Sequence, residues 1–422
     1  MADGTKSWNR PFARFVWLST AFAIGILVER SVQYFAPSGM APRGLGQTFA
    51  PFWETWELVN RNYVDRKAVD PKLMTRGAIA GLLDSLGDHG HTGYMSPEDF
   101  TRLQNTLEGH MEGIGARMVM RDRHLTISNT VPGSPARAAG LRPGDIMLEV
   151  SGEKVDGLAP DQVIGKVRGP AGSSVRLAIG RAGEPKPLQF EIQRAKVAIP
   201  DVTWAMLPGT SLAHVAIQSF GNQVHEQLRQ SLKEARDQGA VALVVDLRGN
   251  PGGLKDQAIA VAGEFLKDGT VFIEKDAAGT EQAMAVIPGG TATELPICVL
   301  IDELTASSAE ILAGAIQDHG RGKLVGRTTS GMGTVLNQYT LSDGSAVLLA
   351  IYEWLTPKGR KIWHIGVTPD VDVQLKEGAF ALQPEGESVL TAAGLESMED
   401  KQLLKAVQLL REQIRPANAA AK

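Results

Sequence analysis

The stretch Ile297–Thr334 constrains the chain most. It starts with the apolar run Ile297–Ile301, which is short and largely β-branched and therefore reads as a buried strand. Small residues at Thr305–Ser308 break it sharply. Ile311, Leu312, Ala315 and Ile316 then recur at helical spacing until Asp318, His319 and Gly320 close a helix, after which Lys323–Val325 resumes an extended run. A strand that turns abruptly into a helix presents a side chain beside unpaired N–H groups and the positive end of the helix dipole. For a serine such as Ser307, that setting suits an oxyanion forming next to it.

The same alternation fills residues 196–378. Leu212–Ile217 reads as a strand, Val224–Gln238 as a helix with Leu228 and Leu232 inward, and Val241–Leu247 as a second buried strand. An α/β core follows from that order. Arg248-Gly-Asn-Pro-Gly-Gly253 ends the second strand, a turn exposing backbone N–H groups just before a helix with Ala258, Ile259, Val261 and Phe265. Val347–Trp354 reads as a further strand, residues 379–394 as a connector, and Met398–Gln413 as an amphipathic helix with Leu403, Leu404, Val407 and Leu410 on one side. That helix is expected to dock on the core.

Ahead of the core, residues 31–47 read as a Gly- and Pro-containing linker. Phe52, Trp56 and Val59 lie at helical spacing, Asp70-Pro71 opens a second helix through Leu83, and Ser96-Pro97-Glu98-Asp99 starts a third. Asp88, His89 and His91 share the loop between the last two. Three candidate ligands in one loop without a fourth are a weak metal signal, so no metal is expected. In 109–194, Gly113-Ile114-Gly115-Ala116 precedes Pro132-Gly-Ser-Pro-Ala-Arg-Ala-Ala-Gly-Leu-Arg-Pro-Gly-Asp145, and Val175–Ile179 reads as a late strand. Such glycines let N–H groups converge on a terminal carboxylate while a peptide adds to an open sheet edge.

Length and charge bound the rest. A chain of 422 residues implies several modules, and 43 basic against 47 acidic side chains leave a net charge of −4, which gives no nucleic-acid footprint. The lone Cys298 sits in the Ile297–Ile301 strand and reads as a small hydrophobe. Lys6, Arg10 and Arg14 precede the apolar run Phe15–Val28, which as a helix reaches about 21 Å against a hydrocarbon core of about 30 Å. Glu29-Arg30 in place of a small-residue cleavage site favours an uncleaved anchor. The expected address is the cell envelope, with the body extracytoplasmic, or secreted if the segment is cleaved.

The runs Thr-Ala-Ser-Ser-Ala-Glu-Ile, Gln-Asp-His-Gly-Arg and Gly-Arg-Thr-Thr-Ser-Gly-Met-Gly-Thr-Val, with the 132–145 signature, resemble the C-terminal processing peptidases, serine proteases that carry a PDZ domain. The resemblance covers about residues 48–412. With the anchor and linker start read above (1–36), it implies a helical N-terminal module (37–108), a PDZ domain (109–194), a crotonase-like α/β protease core (195–378) and a helical extension (379–422). It implies Ser307 as nucleophile, Gly253 and Ser308 as oxyanion donors, and Gly113–Ala116 as the carboxylate loop. The implied substrates are proteins with free C-termini or unfolded segments, cut by acyl transfer. No cofactor is expected, and oligomerisation stays open.

Met332 stands where the resemblance places the catalytic lysine, and Leu336 where it places a glutamine. Met332 has no basic nitrogen, and Lys323 reads as an ordinary strand-edge lysine. Three readings follow. His91 replaces the lysine, as in tricorn-like relatives, needing no pKa shift to act near neutral pH; His364 is a second candidate. Alternatively the protein is an inactive PDZ-based peptide holder, with Ser307 explained as the cap of a Ser-Ser-Ala-Glu capping box. In the third reading a partner subunit supplies the base.

Overall fold

The computed structural model describes residues 45–88, 91–121, 124–376, 379, 381–387 and 390–414. They fall into two units. The smaller takes residues up to Pro97 with Gln338–Leu348, and the larger takes the rest.

In the smaller unit the helix Gly46–Asn62 has no buried residue, and Phe49, Phe52, Trp53 and Trp56 contact one another along it. Gly46 and Gln47, expected in the linker, already belong to this helix. Asp70 caps the helix Pro71–Asp84 by accepting the Lys72 N–H at 2.8 Å. Gly93–Met95 pairs antiparallel with Ala346–Leu348. The expected anchor Phe15–Val28 lies outside the described residues, and among those described no helix is long and apolar enough to cross a membrane. The expected placement at a membrane through an N-terminal helix is corrected on that finding.

In the larger unit, Ala116–Arg121, His124–Thr130, Ile146–Val150, Ser174–Gly180 and Leu188–Gln193 pair antiparallel in that order around Ile127, Met147, Leu177 and Ile179. Pro160–Val167 supplies the long helix of this module. Gly115 has φ 73°, and a Cβ there would lie 2.4 Å from the Ser134 Cβ, so only glycine fits the loop.

The second module is a six-stranded sheet in the order Val202–Met206, Leu212–Ile217, Ala242–Asp246, Ile297–Ile301, Gly322–Gly326, Val371–Asp372, parallel after the first pair. Its central strands are buried on both faces, which is why they read as unbroken apolar runs. Alternate residues such as Leu243, Val245, Val299 and Ile301 face the helices Val224–Asp237, Lys255–Phe265 and Ser308–Asp318. Ala242, Val244, Cys298 and Leu300 face Leu403, Ala406, Val407 and Leu410 of the helix Lys401–Ile414. That helix is docked, as its apolar side predicts. Cys298 is enclosed, and burial pushes its thiol up to about 12. The hairpin Thr270–Lys275/Glu281–Ala285, which pairs with Glu353–Leu355, goes beyond the sequence reading.

Candidate active site

Two turns meet at the carboxyl ends of the adjacent parallel strands Ala242–Asp246 and Ile297–Ile301, where open α/β sheets place their sites. The Ala306 N–H donates to the Asn250 carbonyl at 2.9 Å, the Thr305 hydroxyl to Leu247 O at 2.9 Å, and the Ser308 hydroxyl to Gly253 O at 2.9 Å. The Asn250 amide in turn donates to Ile217 O at 2.8 Å. A Cβ at Gly252 would lie 2.7 Å from the Ser307 Cβ and 2.9 Å from the Ser308 N. Glycine there lets one turn press against the other.

Ser307 is half-buried at φ 53°, ψ −120°, a region that costs an L-residue about 1–3 kcal/mol. Its N–H donates to Glu310 Oε2 at 2.9 Å, while the Glu310 N–H donates to the Ser307 carbonyl at 2.8 Å. The hydroxyl makes no capping hydrogen bond. The expected capping box is thus corrected to its reciprocal half, because at this positive φ the carbonyl rather than the hydroxyl meets the Glu310 amide. The N–H groups of Ser308 and Gly253 donate to no acceptor among the described residues.

Glu310 does more than the sequence showed. Fully buried, it also accepts the Gly331 N–H at 2.8 Å, the Met332 N–H at 2.9 Å and the Thr329 hydroxyl. Burial pushes its carboxyl above the usual range, against the pull of those donors. One carboxylate therefore ties the backbone of Ser307 to that of Met332, which is itself half-buried. Leu336 lies half-buried in the strand Thr334–Thr340. Lys323 is exposed and paired with Asp370 at 3.1 Å, as an edge lysine should be. His364 is exposed, at φ 62°, its ring stacked on Trp363 and its N–H donating to Gly331 O at 2.8 Å. The larger unit thus gathers Ser307, Ser308, Gly253, Glu310, Met332 and the backbone of His364.

His91 belongs to the smaller unit. The buried Asp88 carboxylate accepts the Thr92 N–H at 3.1 Å and its hydroxyl at 2.6 Å, and the His91 N–H reaches the Asp88 carbonyl at 3.3 Å. Burial draws the His91 imidazole below 6.5, against the attraction of Asp88. His91 lines a cavity of about 420 Å³ with Leu83, Thr92, Tyr94 and Leu348. Among the described residues no cluster could hold a metal, and His89 lies outside them.

Residues 211–373 match the peptidase family S41, and residues 126–181 match a PDZ domain. The chain is 32% identical over 323 residues to the carboxy-terminal processing protease CtpB of Bacillus subtilis, covering 76% of this chain and 67% of that protein. It is 32% identical over 349 residues to the carboxyl-terminal-processing protease of Synechocystis, covering 78% and 81%. The chain belongs to the S41 C-terminal processing proteases. Among solved structures this S41 peptidase resembles a photosystem II D1 C-terminal processing protease at 29% identity and a TM-score of 0.51, covering 81% of this chain and 97% of that one. A putative S41 protease from Bacteroides fragilis, at 17% identity and a TM-score of 0.56 over 85% and 97%, shares the fold. The S41 chain is a serine peptidase acting on proteins or peptides, and the inactive-holder reading finds no support among relatives named as proteases.

Proposed function

We propose that this S41 peptidase cleaves proteins near free C-termini or in unfolded segments through Ser307. The observation that carries the reading is the serine's backbone, held at φ 53° against Gly252 with its hydroxyl left out of helix capping. In this reading Ser307 Oγ attacks the scissile carbonyl carbon, and the N–H groups of Gly253 and Ser308 hold the oxyanion. The amine leaves with the serine's proton, delivered by the base, and water then hydrolyses the acyl ester. Gly113–Ala116 takes the substrate's terminal carboxylate. The chain is read as helical module, PDZ domain, protease core and C-terminal extension.

A lysine base would need its pKa lowered by about three units, roughly 4 kcal/mol, and Met332 closes that route. His91 is the proposed base, since an imidazole drawn below 6.5 is neutral and able to accept a proton at pH 7. His364 is the second reading, favoured by its backbone bond to Gly331 beside Met332. The test is labelling by a fluorophosphonate probe alongside cleavage of unfolded casein. Wild-type labelling that disappears in Ser307→Ala and fades in His91→Ala supports the reading. An unlabelled, inactive wild type overturns it, and loss in His364→Ala alone moves the base to His364.

A further inference from the structure

A buried ionic cluster lies at the start of the Arg248–Gly253 turn, and the chemistry above gives it no task. Arg248 Nη2 donates to Asp246 Oδ2 at 2.6 Å, and Nη1 donates to both oxygens of Asp400, at 3.0 and 2.9 Å, and to Gln402 Oε1 at 3.0 Å. His214 Nε2 lies 3.1 Å from Asp246 Oδ2. The side chains of Arg248, Asp246 and Asp400 are at most 2% exposed. Asp400 also accepts the N–H groups of Leu403, at the start of the helix Lys401–Ile414, and of Leu382.

We propose that Asp400 and Gln402 are positioning residues for catalysis: through Arg248 they fix the turn that carries the Gly253 N–H. The proposal rests on the reading of Gly253 as an oxyanion donor. Docking does not require these charges, because Leu403, Ala406, Val407 and Leu410 already bury the helix, and apolar pairs commonly stabilise as well as buried ion pairs do. What a guanidinium gripped by two carboxylates supplies is fixed direction. A shift of Arg248 would pass along the turn, since the Gly252 N–H is bound to the Asn250 side chain and the Asn250 carbonyl receives the Ala306 N–H. Donors to an oxyanion tolerate little displacement. Asp400 and Gln402 lie beyond the residues 211–373 that match the family, so the segment after the matched core takes part in shaping the site.

The test uses the full chain below its melting temperature. Asp400→Asn is expected to lower kcat on casein about tenfold to a hundredfold, with KM within about twofold. Leu410→Ala, about 15 Å further along the same helix, loosens docking without touching Arg248 and is expected to leave kcat within about twofold. Equal kcat losses in the two variants, or an unchanged kcat in Asp400→Asn, overturn the proposal. Should Asp400→Asn fail to fold, Gln402→Leu, which removes one acceptor from Arg248 together with the donor to the Val373 carbonyl, is expected to lower kcat about threefold at unchanged KM, on the same scale, and an unchanged kcat overturns the proposal. Hydrogen exchange decides independently of activity. The bonded amides of Leu247, Asn250 and Ala306 should exchange about tenfold faster in Asp400→Asn and as in wild type in Leu410→Ala. Unaltered protection in Asp400→Asn overturns the clamp, whereas a wild type that neither cleaves nor labels sinks only the reading of the nucleophile.

Discussion

The serine turn and the histidine loop are held in different ways. Around Ser307 the short-range bonds to Glu310 are joined by long-range anchors: Asn250, Leu247 and Gly253 come from the neighbouring strand and its turn, and Glu310 reaches on to Thr329, Gly331 and Met332. Around His91 the anchors just described are local, between Asp88 and the next four residues. The parallel sheet dictates where the nucleophile stands, and the loop that follows the helix Pro71–Asp84 carries the imidazole. A nucleophile braced through the core moves only if the core moves.

That contrast can be broken by experiment. Ser307→Ala should lose cleavage by about 10⁶ in kcat while melting within about 0.5 kcal/mol of wild type, checked by casein turnover and calorimetry. His91→Ala should cost on the order of 10²–10⁴ in rate at nearly unchanged melting temperature; a large drop in melting would make His91 a structural member of its loop. Its pKa sets the pH profile. Below that value the imidazole is protonated and cannot accept the serine proton, so kcat/KM should fall on the acid side with a midpoint under 6.5 and stay level above it. A limb above pH 7 would point to another base. Glu310→Gln replaces an acceptor of four donors with a group that also donates, and should cost about 10² in rate and about 2–3 kcal/mol. The smallest effect is the most telling. Ser307→Gly relieves the positive φ and should raise stability by about 1 kcal/mol, read as a higher melting temperature in an inactive protein.

The sequence made the frame legible where burial is two-sided. Ile297–Ile301 and Ser308–Asp318 appear where periodicity put them, because an apolar run between turn residues has few other uses. Asp70-Pro71 and Ser96-Pro97 marked helix starts for local reasons, a capping oxygen at Asp70 and a proline with fixed φ in the first turn of each helix. The hairpin 270–285 stayed hidden since Glu281–Ala285 is largely exposed and lacks an apolar stripe. In the candidate site, the turns that carry Ser307 and Gly253 could be read from short-range turn chemistry, and the roles proposed for the two residues come from the family resemblance. The hub role of Glu310 could not, because its partners at 329–332 come from a distant stretch. Arg248 read only as the first residue of a turn; its burial rests on Asp246 two residues away and on Asp400 across 152 residues, a partner no local pattern shows. The capping box misled by assuming ordinary helical entry, which the positive φ of Ser307 replaces.

Cys298 carries a practical consequence. It is the protein's single thiol, walled into the central strand and held protonated far above neutral pH. Alkylating reagents should therefore ignore the native enzyme and mark only molecules whose middle sheet has come apart. The sulfur becomes a built-in clock for global opening, read without any label being introduced, and inhibition by such reagents on a faster timescale would have to come from chemistry at some other atom.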